Sequence, residues 1–188
     1  MRTLTVFNSV TLDGYFTGKD GDLRWAHAGS DDPEFQKFTA ENAKGDGTLL
    51  FGRKTYEMMA SHWPTPAAAE ASPVVAEFMN EAPKVVFSRT LDRASWSNTR
   101  LVKGDPPEEV RRLKKEPGGD LVVMGSGTIV SRLASEGLVD QYQLVLTPVV
   151  LGEGRTMFEG LEKTLAFRLT KSRAFRNGRV FLSYAPAD

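Results

Sequence analysis

Apolar residues recur along the chain in short blocks with two periods, and blocks of the two kinds alternate. TLTVFNSVTL (3–12) alternates apolar and polar positions with β-branched residues, the pattern of a strand, and Asp13-Gly14 stops it. A loop carrying Gly18, Asp20-Gly21, Trp25 and His27 follows. Asp32-Pro33-Glu34 then opens a helix with a cap residue, a proline and an acid, and Phe35, Phe38 and Asn42 fall at helical spacing before Lys44-Gly45 ends it. TLLFG (48–52) reads as a short buried strand and RKTYEMMASHW (53–63) as a helix. TPAAAEASP (65–73) has the composition of a linker, too short to separate domains, and VVAEFMNEA (74–82) predicts a helix. Strands are predicted at 84–88 and 98–102, a helix at 106–116, a strand at 121–125 and a helix at 128–137. YQLVLTPVV (142–150) predicts a long strand with Pro148 inside it, and strands near 164–175 and 179–185 meet at an Asn177-Gly178 hairpin turn.

Strands alternating with helices predict a mostly parallel sheet covered on both faces, and the last hairpin adds an antiparallel edge. The expected architecture is an α/β, three-layer α/β/α sandwich with a central mixed sheet, formed by one domain over residues 1–188. Cysteine is absent, which excludes disulfides, thiolate nucleophiles and Cys-ligated zinc. The 24 basic and 24 acidic side chains cancel, so nothing in the charge directs the chain to nucleic acid or to a membrane surface. No signal peptide and no run of ~18 apolar residues is seen, so the expected location is cytoplasmic and the expected partner a small molecule.

Three strand ends finish in polar or glycine turns: Gly52-Arg53-Lys54-Thr55, Ser88-Arg89, and Gly125-Ser126-Gly127-Thr128. Ligands of open α/β sheets collect at carboxyl strand ends. The first and third turns also open helices, whose free N–H groups favour an anion. Arg53, Lys54 and Arg89 add positive charge, and Ser88, Thr55, Ser126 and Thr128 add hydroxyls, a set suited to a phosphate-rich cofactor such as NADPH. Read alone, each turn is equally a capped helix start. GSGTIV is not the Rossmann fingerprint, because Val130 stands where the third glycine belongs. His27 and His62 lack metal-site spacing, so no metal is expected. Asp13, Glu34, Trp25 and Trp63 are the candidates for a substrate pocket, each with a plain structural role as its alternative.

Together TLDG (11–14), LLFGRKTYE (49–57), HWP (62–64), PKVVFSRTL (83–91), Trp96-x-Asn98, GGDLVVMGSGT (118–128), GLVDQYQLVLTPVVLGEG (137–154) and Met157-Phe158 resemble the dihydrofolate reductase-like superfamily. The order and spacing fit its branch related to the riboflavin-biosynthesis reductase domain, the C-terminal domain of bacterial bifunctional deaminase-reductases. The resemblance implies NADPH bound along the strand ends: Gly52, Arg53, Lys54 and Thr55 beside the phosphates, Ser88 and Arg89 near the 2′-phosphoribose, and Gly125, Ser126, Gly127 and Thr128 against the pyrophosphate. It places Pro148, Val150, Leu151, Gly152 and Gly154 near the substrate pocket, and it matches Asp13 to the acid of the family's SLDG. Tyr15 stands where riboflavin reductases often carry lysine.

The expected function is NADPH-dependent reduction of a C=O or C=N in a small molecule such as a pterin or ribosylaminopyrimidine. Asp13 or Glu34 is the expected proton source, with Tyr15, Trp25, Trp63, Pro148, Leu151 and Gly152 on the substrate side. Two alternatives stay open: a non-catalytic, ligand-binding dimeric member of the fold, and a true dihydrofolate reductase with Glu34 as its helix carboxylate. A homodimer is expected, mainly on the resemblance, with the C-terminal hairpin pairing across a two-fold axis.

Overall fold

The computed structural model describes residues 1–27 and 32–187. β1 (Leu4–Thr11) is followed by a short strand β2 (Tyr15–Thr17) and a single helical turn α1 (Arg24–His27), both within the segment that reads as a loop. α2 (Pro33–Asn42) starts as its sequence predicts, with Asp32 Oδ1 accepting from Phe35 N at 2.8 Å and Pro33 in the first turn. β3 (Thr48–Gly52) and α3 (Arg53–His62) come next. α4 (Pro66–Ala71) occupies the stretch whose composition suggests a linker. Thr65 caps it by accepting from Ala68 N at 3.2 Å, Pro66 fits the first turn, and alanine has the best helix propensity, so the stretch folds.

α5 (Pro73–Glu81), β4 (Lys84–Phe87), β5 (Thr99–Val102), α6 (Pro106–Lys115), β6 (Leu121–Val123) and α7 (Gly127–Ser135) continue the alternation. β7 (Gln141–Thr147), β8 (Arg155–Thr156), β9 (Phe167–Ala174) and β10 (Val180–Pro186) complete the chain. β7 stops at Thr147, short of the predicted Val150. Pro148 has no N–H for the ladder, and Val149 N turns back onto Thr147 O at 2.8 Å.

Eight strands form one sheet in the order β5-β4-β3-β6-β1-β7-β10-β9, and β2 pairs with β8 in a separate ribbon. The first six run parallel, while β10 is antiparallel to both β7 and β9. Alternation along each strand separates two faces. On one, Leu4, Val6, Leu50, Val85 and Val123 pack with Val110 and Leu113 of α6 and Ile129, Val130 and Leu133 of α7. On the other, Leu49, Phe51 and Val86 pack with Tyr56 of α3 and Met79 of α5, and Val145 and Phe181 pack with Phe35 and Phe38 of α2. The result is the three-layer sandwich that the periodicity predicts. No helix among the described residues is long and apolar enough to cross a membrane.

A lysine sits deep in this structure. Lys84 is 1% exposed, and its ammonium donates to the carbonyls of Met79 (2.8 Å), Asn80 (2.9 Å) and Ala82 (2.7 Å) at the end of α5. It therefore closes the C-terminus of that helix, where free carbonyls and the dipole both favour a positive charge.

Candidate functional site

Parallel strands bring their carboxyl ends to one edge of the sheet. β3 and β6 are neighbours, yet α3 follows β3 onto one face and α7 follows β6 onto the other. A crevice opens where two such connections diverge. The two turns that flank it interlock: Gly52 N donates to Gly125 O at 2.9 Å. A Cβ on Gly52 would lie 2.5 Å from Ser126 Oγ and 3.2 Å from Ser126 N. Gly52 has an ordinary extended backbone (φ −78°, ψ 163°), so glycine serves there for space alone. Gly125 has φ +111°, and a Cβ on it would lie 3.1 Å from Thr55 Oγ1. A Cβ on Gly127 would lie 2.9 Å from the Phe16 ring.

Gly52 caps α3 and Ser126 caps α7, and neither cap supplies a side-chain hydrogen bond. In α7 Ile129 N already donates to Ser126 O at 3.0 Å, so the N–H groups of Gly127 and Thr128, with those that open α3, stay available at the crevice, with the positive ends of two helix dipoles behind them. Lys54 and Arg89 are exposed and form no ion pair among the described residues, whereas Arg53 is held by Glu57 at 3.3 Å. Thr55 is half-buried and Thr128 exposed, leaving both hydroxyls near the helix starts. Ser88 Oγ accepts from Thr90 N (3.2 Å) and Leu91 N (2.9 Å), so its first role is to shape the turn that presents Arg89.

Asn8 also belongs to this site. It is buried in β1, its carboxamide lying 3.8 Å from the Cβ position of Gly125 and between Met157 Sδ and the Met124 and Phe7 carbonyls. An amide on the strand face otherwise made by Leu4, Val6 and Val10 is the one sequence signal that could have found it. Phe16, seated against Gly127, has no such signal, because its strand is three residues long.

The sheet edge is stepped. β6 ends at Val123, level with Val6, while β1 and β7 stay paired up to Thr11 and Thr147. Those five further residues carry the pair about 16 Å beyond the end of β6. Asp13 stands at the top of this step, and its surroundings correct its expected role. Its carboxylate accepts from Thr11 Oγ1 (2.6 Å), Leu151 N (3.0 Å) and Gly152 N (2.8 Å). These bonds, the Thr11 hydroxyl first and the Gly152 amide next, hold its pKa below the usual carboxylate range, the opposite of what a proton donor needs. Asp13 is a clamp between the segments that follow β1 and β7.

The clamp has a stated pH window. A carboxyl whose folded pKa lies below its unfolded value near 3.8 contributes fully above that value, and loses its effect as pH falls through the folded pKa. Amide exchange at Leu151 and Gly152 is therefore expected to stay slow at pH 5 and to quicken only below pH ~3.8. Asp13→Ala should show the fast exchange at both pH values, and equal protection in that variant would refute the clamp.

Glu34 needs a second correction. It pairs with Arg173 of β9 at 2.9 Å, at the far edge of the sheet. β9 is four strand spacings from β6, about 19 Å, so this carboxylate is turned away from the crevice. Trp25, in α1, is 7% exposed and its indole donates to Asp22 O at 3.1 Å, so its ring is packed into the interior. Trp63 follows α3, one helix length (about 15 Å) from Gly52. It contacts Met59, His62 and Asn80, within or beside the cluster around Tyr56 and Trp96. Tyr15 pairs with Thr156 in the β2–β8 ribbon, where its ring lies 3.2 Å from the Cβ position of Gly154. Pro148 packs over Gly178 of the hairpin turn, and Leu151 and Gly152 serve the Asp13 clamp. Burial, with smaller contributions from His62 and Arg179, pushes the His27 imidazole below its ordinary pKa. Among the described residues no three His, Cys, Asp or Glu side chains gather as a metal site.

Comparison with known proteins agrees with this architecture. Uncharacterized protein YyaP of Bacillus subtilis (strain 168) is 31% identical over 183 residues, covering 97% of this chain and 94% of its own length. The crystal structure of a protein named for riboflavin biosynthesis, from Shewanella sp. PV-4, aligns over the full length of both chains with a TM-score of 0.75 and 26% identity. Dihydrofolate reductase from Enterococcus faecalis, complexed with NADP(H) and RAB-propyl, shares the fold with a TM-score of 0.66 at 19% identity, covering 99% of this chain and 97% of that one. The sequence model of the RibD C-terminal domain matches residues 2–181, and with the glycine turns and sheet order in place the chain belongs to the RibD C-terminal domain family.

Proposed function

We propose that this protein is an NADPH-dependent reductase acting on a C=O or C=N of a small molecule, in the class of pterins and ribosylaminopyrimidines. The observation that carries this reading is the meeting of two helix N-termini without side-chain caps at a crevice where a Cβ on Gly52 would collide with Ser126 and one on Gly125 would crowd Thr55. Such a place accepts an anion against bare backbone. The first turns of α3 and α7 would hold the diphosphate, while Lys54 and Arg89 would hold the additional phosphate that separates NADPH from NADH. When bound, NADPH supplies a hydride from its nicotinamide ring. Asn8 lies against the Gly125 turn, the Asp13 clamp fixes the neighbouring rim, and the proton for the reduced atom is taken from water, since neither carboxyl candidate is disposed to give one.

Isothermal titration with NADPH tests the reading. Arg89→Ala is expected to weaken NADPH about 10- to 100-fold, the range for a lost hydrogen bond to a charged group, and to leave NADH affinity almost unchanged. Absence of any response at millimolar NADPH would overturn the proposal.

The engagement of Asp13 by Leu151 and Gly152, and of Glu34 by Arg173, favours a second reading: a nucleotide-binding protein without turnover. NADPH binding without oxidation across pterins, aldehydes and ribosylaminopyrimidines would select it. The same Glu34–Arg173 pair weighs against a true dihydrofolate reductase, which needs that carboxylate at its substrate.

A further inference from the structure

Asn8 interrupts a face of β1 that is otherwise made by Leu4, Val6 and Val10. It is 8% exposed, and taking a carboxamide out of water is costly unless its polar atoms find partners. An aliphatic residue would fill the same place without that cost. The level at which Asn8 stands relative to β6 accounts for the amide. Parallel pairing of β1 with β6 ends at Val6 and Val123. Carried two residues further, the same register sets Asn8 beside Gly125, where the chain has left the ladder and turns into α7.

On its β3 side this turn has backbone tethers. Met124 N donates to Leu50 O at 3.2 Å, and Gly125 O accepts from Gly52 N at 2.9 Å. On its β1 side stands the Asn8 side chain. One end of the carboxamide faces the carbonyls of Met124 and Phe7, and that end must be the nitrogen, since an amide oxygen there would meet only acceptors. So turned, it donates to Met124 O at 3.2 Å and to Phe7 O at 3.3 Å, and its other end lies 3.6 Å from Met157 Sδ. Met157 is itself buried, and its carbonyl lies 3.4 Å from the Cβ position of Gly127. One side chain thus reaches the carbonyl that precedes Gly125 and, through Met157, the residue that opens α7.

We propose that Asn8 is the positioning residue of this turn, holding residues 124–127 in the shape that keeps the Gly127 and Thr128 amides available to a cofactor diphosphate. The inference rests on the cofactor reading for its ligand and on the Asn8 contacts for its geometry. A residue that only filled space could be replaced by leucine, which has the same branching, with no effect on the ligand. A positioning residue could not.

Two variants test this. Asn8→Asp keeps the shape, but its ionised carboxylate has no proton for Met124 O and sets a negative charge beside the phosphates, whereas the protonated acid is again a donor. Burial and the phosphates both raise the pKa of such a carboxyl, so it takes up its proton between about pH 8 and about pH 5. The ligand is NADP⁺, which shares the phosphates of NADPH and withstands acid, and the native chain at the same pH is the reference. Asn8→Asp should bind at least ~10-fold more weakly than native at the higher pH and within about 3-fold of native at the lower, while Asn8→Leu should be at least ~10-fold weaker at both. Without any cofactor, the Gly52 amide reports the turn, because it donates to Gly125 O. Its hydrogen exchange should quicken at least ~10-fold in Asn8→Leu, while Leu49, bonded to Pro83 O, keeps its native rate.

Native affinity in Asn8→Leu, or a deficit in Asn8→Asp that is the same at both pH values, would overturn the inference. If Asn8→Asp does not fold, the affinity and exchange of Asn8→Leu decide. A native chain that binds no NADP⁺ would remove the cofactor reading instead, and the exchange measurement then stands alone: an unchanged Gly52 rate shows that Asn8 does not hold the turn.

Discussion

Gly52→Val is expected to fold and to lose NADPH. The backbone of Gly52 is one that valine adopts freely, so the substitution carries no conformational penalty of its own. Its cost is spatial: the first added carbon would come within 3.2 Å of Ser126 N and 2.5 Å of Ser126 Oγ, and the branches of valine need still more room. Overpacking of this kind costs about 1–3 kcal/mol. For a domain of this size that lowers the melting temperature by up to about 10 °C. The Gly125–Thr128 turn must move outward, and the added methyl groups fill the space beside two helix N-termini. Affinity for NADPH should fall at least 100-fold, about 2.7 kcal/mol. Gly52→Ala should fall between valine and glycine. Isothermal titration, with circular dichroism to confirm folding, separates the two effects. A folded Gly52→Val protein that binds NADPH normally would remove the crevice from consideration as the phosphate site.

Lys84→Met should produce a large loss of stability although it lies outside the site. Methionine matches the length of the side chain and its apolar part, yet it leaves three carbonyls at the end of α5 without their donor. Burying an unsatisfied polar group costs about 1–3 kcal/mol. With partial relaxation of the helix end, the three together should cost about 3–5 kcal/mol, a fall of roughly 10–15 °C in melting temperature. Lys84→Arg keeps positive charge and donors in a larger side chain, and should recover part of the loss. Calorimetry of the two variants measures this, and a shift below about 3 °C for Lys84→Met would show that the carbonyls find other partners.

Much of the fold is legible in the sequence because its signals are local. Asp32 and Pro33 mark the start of α2 through contacts within one helical turn, and the alternation in TLTVFNSVTL is a property of β1 alone. The crevice is legible for the same reason: two glycine-led turns each end a buried strand and begin a helix. That they belong to one site depends on β6 inserting between β3 and β1, and single-turn periodicity cannot show that order. The carboxylates are the clearest limit. The backbone partner that holds Asp13 is 138 residues away and the arginine that holds Glu34 is 139 residues away. An Asp-Gly turn looks the same whether its carboxylate waits for a substrate or ties two loops together. The Thr65–Pro73 stretch misleads for a different reason: alanine and proline suggest a linker by composition, but each stands where a capped helix uses it.

The central position of β1 also bears on how the chain is made. Synthesised before both strands that flank it, β1 must wait for Leu121 of β6 on one side and for Gln141 of β7 on the other. Until then β3, β4 and β5 can associate by themselves, while Leu4, Val6 and Phe7 stay open to whatever is nearby in the cell. Contacts between distant parts of a chain form late because closing the long loop is entropically unfavourable. β1 is therefore among the last strands to be secured although it is made before its partners, and a nascent chain that stalls before residue 121 is the form most in need of a chaperone.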